Sequence, residues 1–91
     1  MGSIYGSNAV DISSNELKKL LNALKKADSK KICIDVSDVM NTVDGNEKVY
    51  LDKLVEIGLL SYYQGSRTEY IVDDYDLMYD MLANAAKYAR R

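Results

Sequence analysis

The period of the apolar residues changes twice along this chain, and those two changes fix what it can build. Leu17, Leu20, Leu21 and Leu24 recur at i, i+3, i+4 and i+7, the spacing of one helical face, while Lys18, Lys19, Lys25 and Lys26 project elsewhere. From Leu59 to Val72 the period is two. Leu60, Tyr62 and Gln64 alternate with Ser61 and Tyr63; beyond Gly65-Ser66, Thr68, Tyr70 and Val72 alternate with Glu69 and Ile71. Helical spacing then returns in Leu77, Met78, Met81, Leu82, Ala85, Tyr88 and Ala89. A hairpin set between helices satisfies this pattern. A two-residue turn at Gly65-Ser66 would set Gln64 opposite Arg67 and fix the register.

The ends of the elements carry their own signals. Ser13 to Glu16 reads Ser-Ser-Asn-Glu, a capping box that starts the first helix, and Asp28-Ser29 ends it. Lys31 to Ile34 is a short β-branched run that predicts a small strand. Asp35, with Asp38 three residues on, caps a short second helix whose buried side is Val36, Val39, Met40 and Val43. The turn-forming Asp44-Gly45-Asn46 interrupts it, and Asp44 with Glu47 reads as a third capping box. The third helix carries Tyr50, Leu51, Leu54 and Ile57 inward, and Gly58 supplies a left-handed cap. Asp73 or Asp74 caps a fourth helix, about 73–91, which ends in Lys87, Arg90 and Arg91 where the helix dipole is negative. Residues 1–12 lack periodicity and read as a loose arm, leaving one domain over 13–91.

Composition excludes more functions than it suggests. The chain has 91 residues and no histidine, so it lacks the commonest general base and the commonest metal ligand. It has one cysteine, Cys33, which excludes an internal disulfide and, among apolar neighbours, reads as a small buried hydrophobe. No phosphate-cradling glycine loop is present, and the acidic pairs lack the spacing of a calcium loop. No enzymatic activity, metal, cofactor or small-molecule substrate is expected. No apolar run approaches a membrane span, and the first ten residues lack the pattern of a signal peptide; a cytoplasmic protein without a membrane partner is expected. Net charge is −2. Residues 1–43 hold six lysines against five acids and residues 44–91 six bases against nine acids, so neither half is strongly basic.

Helix, short strand, helix, turn, helix, hairpin, helix is the element order of a winged helix. The stretch Tyr50-Leu51-Asp52-Lys53-Leu54-Val55-Glu56-Ile57-Gly58-Leu59-Leu60 resembles the end of the third helix in small prokaryotic winged-helix DNA-binding regulators, in the style of those of archaea and their viruses. Tyr70-Ile71-Val72-Asp73 and the amphipathic helix after it are similar to the second wing strand and dimer helix of the same family. The resemblance spans 13–91. It implies an α+β, mostly α, winged helix-turn-helix with a C-terminal dimerisation helix, binding double-stranded DNA as a transcription regulator. In such regulators the N-terminal half of the third helix enters the major groove.

Carried onto this chain, those positions are Asn46, Lys48, Val49, Asp52 and Lys53. Arg67 at the wing tip, with Gln64 beside it, would meet the backbone or the minor groove, and Lys30 and Lys31 add a backbone contact before the second helix. Asp44, Glu47, Asp52 and Glu56 set four carboxylates against two lysines on the reading helix, which is costly beside phosphate unless they turn away. Many family members place an apolar core residue where this chain has Glu47. The alternative is therefore a winged-helix protein-interaction module with an acidic third helix. Met78/Ala85, Met81/Tyr88 and Leu82/Ala89 repeat at seven residues, which with Leu77 predicts a homodimer through the fourth helix. Folding of that stripe onto the first helix within one chain is the competing arrangement. The lysines of the first helix read as a solvated polar face, and Tyr62, Tyr63 and Tyr70 as hairpin packing.

Overall fold

The computed structural model describes residues 9–90, a small α+β arrangement of four α-helices, two short 3-10 segments and one two-stranded antiparallel hairpin. Helix α1 (Ser14–Asp28) starts at the expected capping box: the Ser13 hydroxyl accepts from the Glu16 amide at 3.1 Å and the Glu16 carboxylate from the Ser13 amide at 3.3 Å. Its buried stripe is Leu17, Leu20, Leu21, Leu24 and Ala27. Beyond it the amides of Lys30 and Lys31 both return to the Ala27 carbonyl, so the chain leaves α1 in a tight turn.

That turn shortens the expected strand at 31–34 to a single bridge, in which Ile34 and Tyr70 exchange backbone hydrogen bonds of 2.8 Å. Ile34 is buried, Ile32 is 81% exposed and Cys33 lies between. The expected second helix is one 3-10 turn, Val36–Val39, held by the Asp35/Asp38 capping box. It stops early because Val, Asn and Thr are weak helix formers. Met40 is already extended and exposed, Asn41 is left-handed at φ 67, and Thr42 donates its hydroxyl to the Val39 carbonyl at 2.6 Å. Val39 and Val43 still reach the core.

Helix α2 (Glu47–Glu56), the third helix of the sequence reading, ends in a Schellman arrangement: Gly58, at φ 91, donates to Val55 and Leu59 donates to Leu54. Strands β1 (Leu60–Tyr62) and β2 (Tyr70–Val72) pair Leu60 with Val72, Ser61 with Ile71 and Tyr62 with Tyr70. This corrects the expected register by one residue. A two-residue turn would face Leu60 with Ile71 and Tyr62 with Glu69, whereas the observed pairing puts the buried Leu60, Tyr70 and Val72 on one face with Tyr62. A longer loop makes this possible: Tyr63–Gly65 form a 3-10 turn in which Gln64 is left-handed at φ 47, and the Ser66 hydroxyl accepts from the amides of Thr68 and Glu69.

Asp74 caps α3 (Tyr75–Ala83), accepting from the Leu77 amide at 2.9 Å. The single helix expected over 73–91 breaks at Asn84, whose side-chain amide turns back to the carbonyl and carboxylate of Asp80, and α4 (Ala85–Tyr88) continues after it. The stripe expected to pair two copies is occupied within one chain. Met78, Met81, Ala85 and Tyr88 are buried, Leu77, Leu82 and Ala89 pack against the same core, and α3 and α4 both lie on α1. Lys87 stands in the last turn of α4, Arg90 beyond it, and Arg91 lies outside the described residues.

The expected arm also changes character. Residues 1–8 lie outside the described residues, but Val10 and Ile12 are fully buried. Val10 donates to the Tyr88 carbonyl at 2.8 Å and accepts from the Arg90 amide at 2.9 Å, tying the start of the domain to its end. Two apolar residues alternating with Asp11 are too few to register as a period. Among the described residues no helix is long and apolar enough to cross a membrane.

Candidate nucleic-acid interface

The turn before α2 sets its direction, and it is built around a buried acid. Asn41, Asp44 and Gly45 all take positive φ, at 67°, 49° and 82°. This curls the backbone so that the amides of Val43 and Gly45 donate to the Glu47 carboxylate at 3.2 and 3.3 Å. The expected Asp44/Glu47 capping box is therefore replaced: Asp44 is left-handed and exposed, Asn46 is the N-cap without a side-chain bond, and Glu47 is 2% exposed. Burial pushes the Glu47 carboxyl upward, but the surrounding amides outweigh it and hold its pKa below the ordinary 4.5.

One step further along α2, four side chains bind the helix to the hairpin. The Lys48 ammonium reaches both Asp52 oxygens at 3.0 Å, the Arg67 carbonyl at 2.6 Å and the Tyr70 hydroxyl at 2.8 Å. An ammonium has three protons, so four acceptors saturate it. Tyr62 and Tyr70 donate their hydroxyls to the same Asp52 oxygen at 2.9 and 2.7 Å, and their rings lie 5.4 Å apart. Hydrogen bonds to Tyr70 and Asp52 raise the Lys48 pKa. Burial pushes Asp52 up, yet the bonds from Tyr70, Lys48 and Tyr62 hold it below the usual carboxylate value. Burial, together with its bond to Asp52, drives the Tyr70 hydroxyl to about 12. Lys48 is cationic and Asp52 anionic throughout the neutral range.

Only some of the expected contact residues come together. Asn46 and Val49 are exposed on the first turn of α2, Val49 at 52%, and the Lys48 bond brings the Arg67 backbone to that same end. The Arg67 guanidinium lies 5.0 Å from the centre of the Tyr62 ring, and Gln64 is exposed at the hairpin tip. Lys48 itself is consumed by the network. Lys53 lies apart, lining with Ala9, Asp11 and Arg90 a hollow of about 330 Å³. Lys31 is paired with Asp38 at 2.8 Å and Asp35 at 3.5 Å, and Lys30 belongs to a cleft between α1 and the 3-10 turn.

Asp52 and the tyrosines are far apart in sequence, and the i, i+4 spacing of Lys48 and Asp52 is the one local sign of this network. Cys33 departs from expectation as well. Its thiol is half-buried and donates to the Glu69 carboxylate at 3.6 Å; desolvation, followed by the Glu69 charge, raises its pKa. Compared with protein-family models, curated proteins and solved structures, the chain matches none.

Proposed function

We propose that this chain is a winged-helix domain that binds double-stranded DNA as a transcription regulator, with the first turn of α2 toward the major groove and the hairpin tip along the flanking backbone. One observation supports the reading: the Lys48 bond to the Arg67 carbonyl fastens the hairpin tip to the first turn of α2, the turn on which Asn46 and Val49 are exposed. Asn46 makes no capping bond, and its amide is able to donate and accept together toward an adenine edge. Arg67 brings a charge that is never lost in the physiological range. The stripe of α3 and α4 is already covered, so this reading uses single chains and needs no homodimer.

A second reading, a protein-interaction module, is favoured by one feature of the same edge. With Lys48 saturated, the exposed residues of the turn and α2 include Asp44, Glu56 and a solvent-facing Val49 against one cation, Lys53. Fluorescence anisotropy on duplex DNA at 50 and 200 mM salt separates the two. On the DNA reading, Arg67→Ala weakens binding to every sequence alike, whereas Asn46→Ala weakens the preferred site by about 1–3 kcal/mol and leaves random duplex unchanged. Binding untouched by either change refutes the DNA reading of this edge and leaves the interaction module.

A further inference from the structure

The cations of this chain are segregated, and the segregation lies on a different surface. Lys18, Lys19, Lys25 and Lys26 are exposed along α1 together with Asn15 and Asn22, and Lys30 follows just past its end. The two acids of the helix are withdrawn from that face: Glu16 is engaged in the capping box, and Asp28 accepts the Tyr75 hydroxyl at 2.8 Å. Among the described residues the ion pairs involve only Lys31 and Lys48, so none of these five lysines is neutralised by a carboxylate. A molecule of net charge −2 is thereby divided into one face at +5 and a remainder at −7.

The shape of the surface limits what it meets. On one flank the Lys25 ammonium lies 5.4 Å from the centre of the Tyr79 ring, which is itself 51% exposed. On the other, Lys26 and Lys30 overhang a cleft of about 450 Å³ between α1 and the 3-10 turn, where Ser37 and the mutually paired Lys31 and Asp38 also open. Lys18/Lys25 and Lys19/Lys26 are each two helical turns apart, about 10 Å, giving two parallel rows of mobile point charges. The leucine stripe of α1 is buried to the last residue, so the helix has no apolar face to lower into a bilayer. Repeating phosphates with no demand for base identity complement such rows, since unpaired lysines release counterions from a polyanion without reading it.

We infer that the outward face of α1, through Lys18, Lys19, Lys25, Lys26 and Lys30, is a binding surface for the phosphate backbone of nucleic acid, separate from the α2 and hairpin edge. The test uses the full chain, a 30-base-pair duplex, one of its single strands and poly-glutamate as competitor. Five neutralised phosphates give a salt slope of about −4.5, so affinity should fall roughly 500-fold between 50 and 200 mM salt. Changing the five lysines to glutamine should abolish that fall and most of the low-salt binding, while changing them to arginine should retain both; circular dichroism checks that each variant is folded. Preference for the single strand would assign Tyr79 a stacking role, and equal binding would assign the backbone alone.

Loss in the glutamine variant with Arg67→Ala and Asn46→Ala unaffected upholds this surface and refutes the α2 edge. The reverse pattern refutes this surface and upholds that edge. Failure of the wild type to bind either probe at 50 mM salt overturns the inference, as does displacement by poly-glutamate at equal charge, which would assign the face to an acidic protein.

Discussion

Glu47 is the sharpest test of how α2 is oriented, because its carboxylate is the only acceptor the structure gives to two inward-turned amides of the preceding turn. Glu47→Ala removes the acceptor and leaves the buried Val43 amide unpaired, whereas the amide of Gly45, an exposed residue, can turn to water. An unsatisfied buried donor costs about 1–3 kcal/mol, and a bond of 3.2 Å belongs to the weaker half of that range, giving about 1–2 kcal/mol for the Val43 amide. In a domain of this size each kcal/mol lowers Tm by about 4–8 °C, so a fall of roughly 4–16 °C is expected. Glu47→Gln keeps an oxygen acceptor but forfeits the charge, and should cost about half as much.

The pH dependence provides an independent check on the same reasoning. A carboxyl with a folded pKa below its unfolded 4.5 contributes stability that is fully present above 4.5 and is lost as pH falls through the folded value. The difference in unfolding free energy between wild type and Glu47→Gln, measured by urea denaturation at pH 6, 4.5 and 3.5, should therefore shrink toward acid. If Glu47→Ala costs less than about 0.5 kcal/mol, the amides do not depend on this acceptor. If the wild-type advantage grows as pH falls, the acid is buried protonated and the electrostatic argument is wrong.

Met81→Asp is expected to unfold a monomer and not to dissociate a dimer, because Met81 is fully buried within one chain. Sedimentation of the wild type at tens of micromolar should give one chain; a wild-type dimer with a folded monomeric variant would return the stripe to the role of a seam. Cys33 should react slowly with alkylating reagents at pH 8, where its raised pKa leaves little thiolate, and Glu69→Gln should speed the reaction by removing the nearby negative charge. Equal rates in the two proteins would show that desolvation alone controls the thiol.

What could be read from sequence followed from short-range physics. The caps at Ser13/Glu16 and Asp35/Asp38, the left-handed Gly58 and the two changes of period each rest on residues within a turn or two of one another, where chemistry and conformation correspond closely. The errors came where distant segments compete for the same groups. Gly65 marked a turn, but the need to bury Tyr70 and Val72 with Leu60 chose its length. Val10 and Ile12 look unstructured in the sequence because the partners of Val10, at Tyr88 and Arg90, lie at the far end of the domain. The seven-residue repeat of the last helix was real, yet α1 offers the same apolar complement that a second copy would, and it is tethered to the same chain.

The same competition explains the candidate edge. Residue type nominated Lys48 as a base or phosphate contact, and its neighbours at i+4 and across the hairpin took its protons first. An exposed pair such as Lys48 and Asp52 stabilises by only about 0–1 kcal/mol, so the value of this network lies in position: it fastens Arg67 to the first turn of α2. Fastening costs the edge its strongest cation, while α1 and the turn after it keep five lysines outside the ion pairs among the described residues. If both surfaces meet nucleic acid, selectivity and affinity reside on different helices: base discrimination would vanish with Asn46→Ala while the salt slope persists, and the slope would vanish with the lysines of α1 while the weaker preference of the α2 edge remains. A single variant that removes both would show that they form one site.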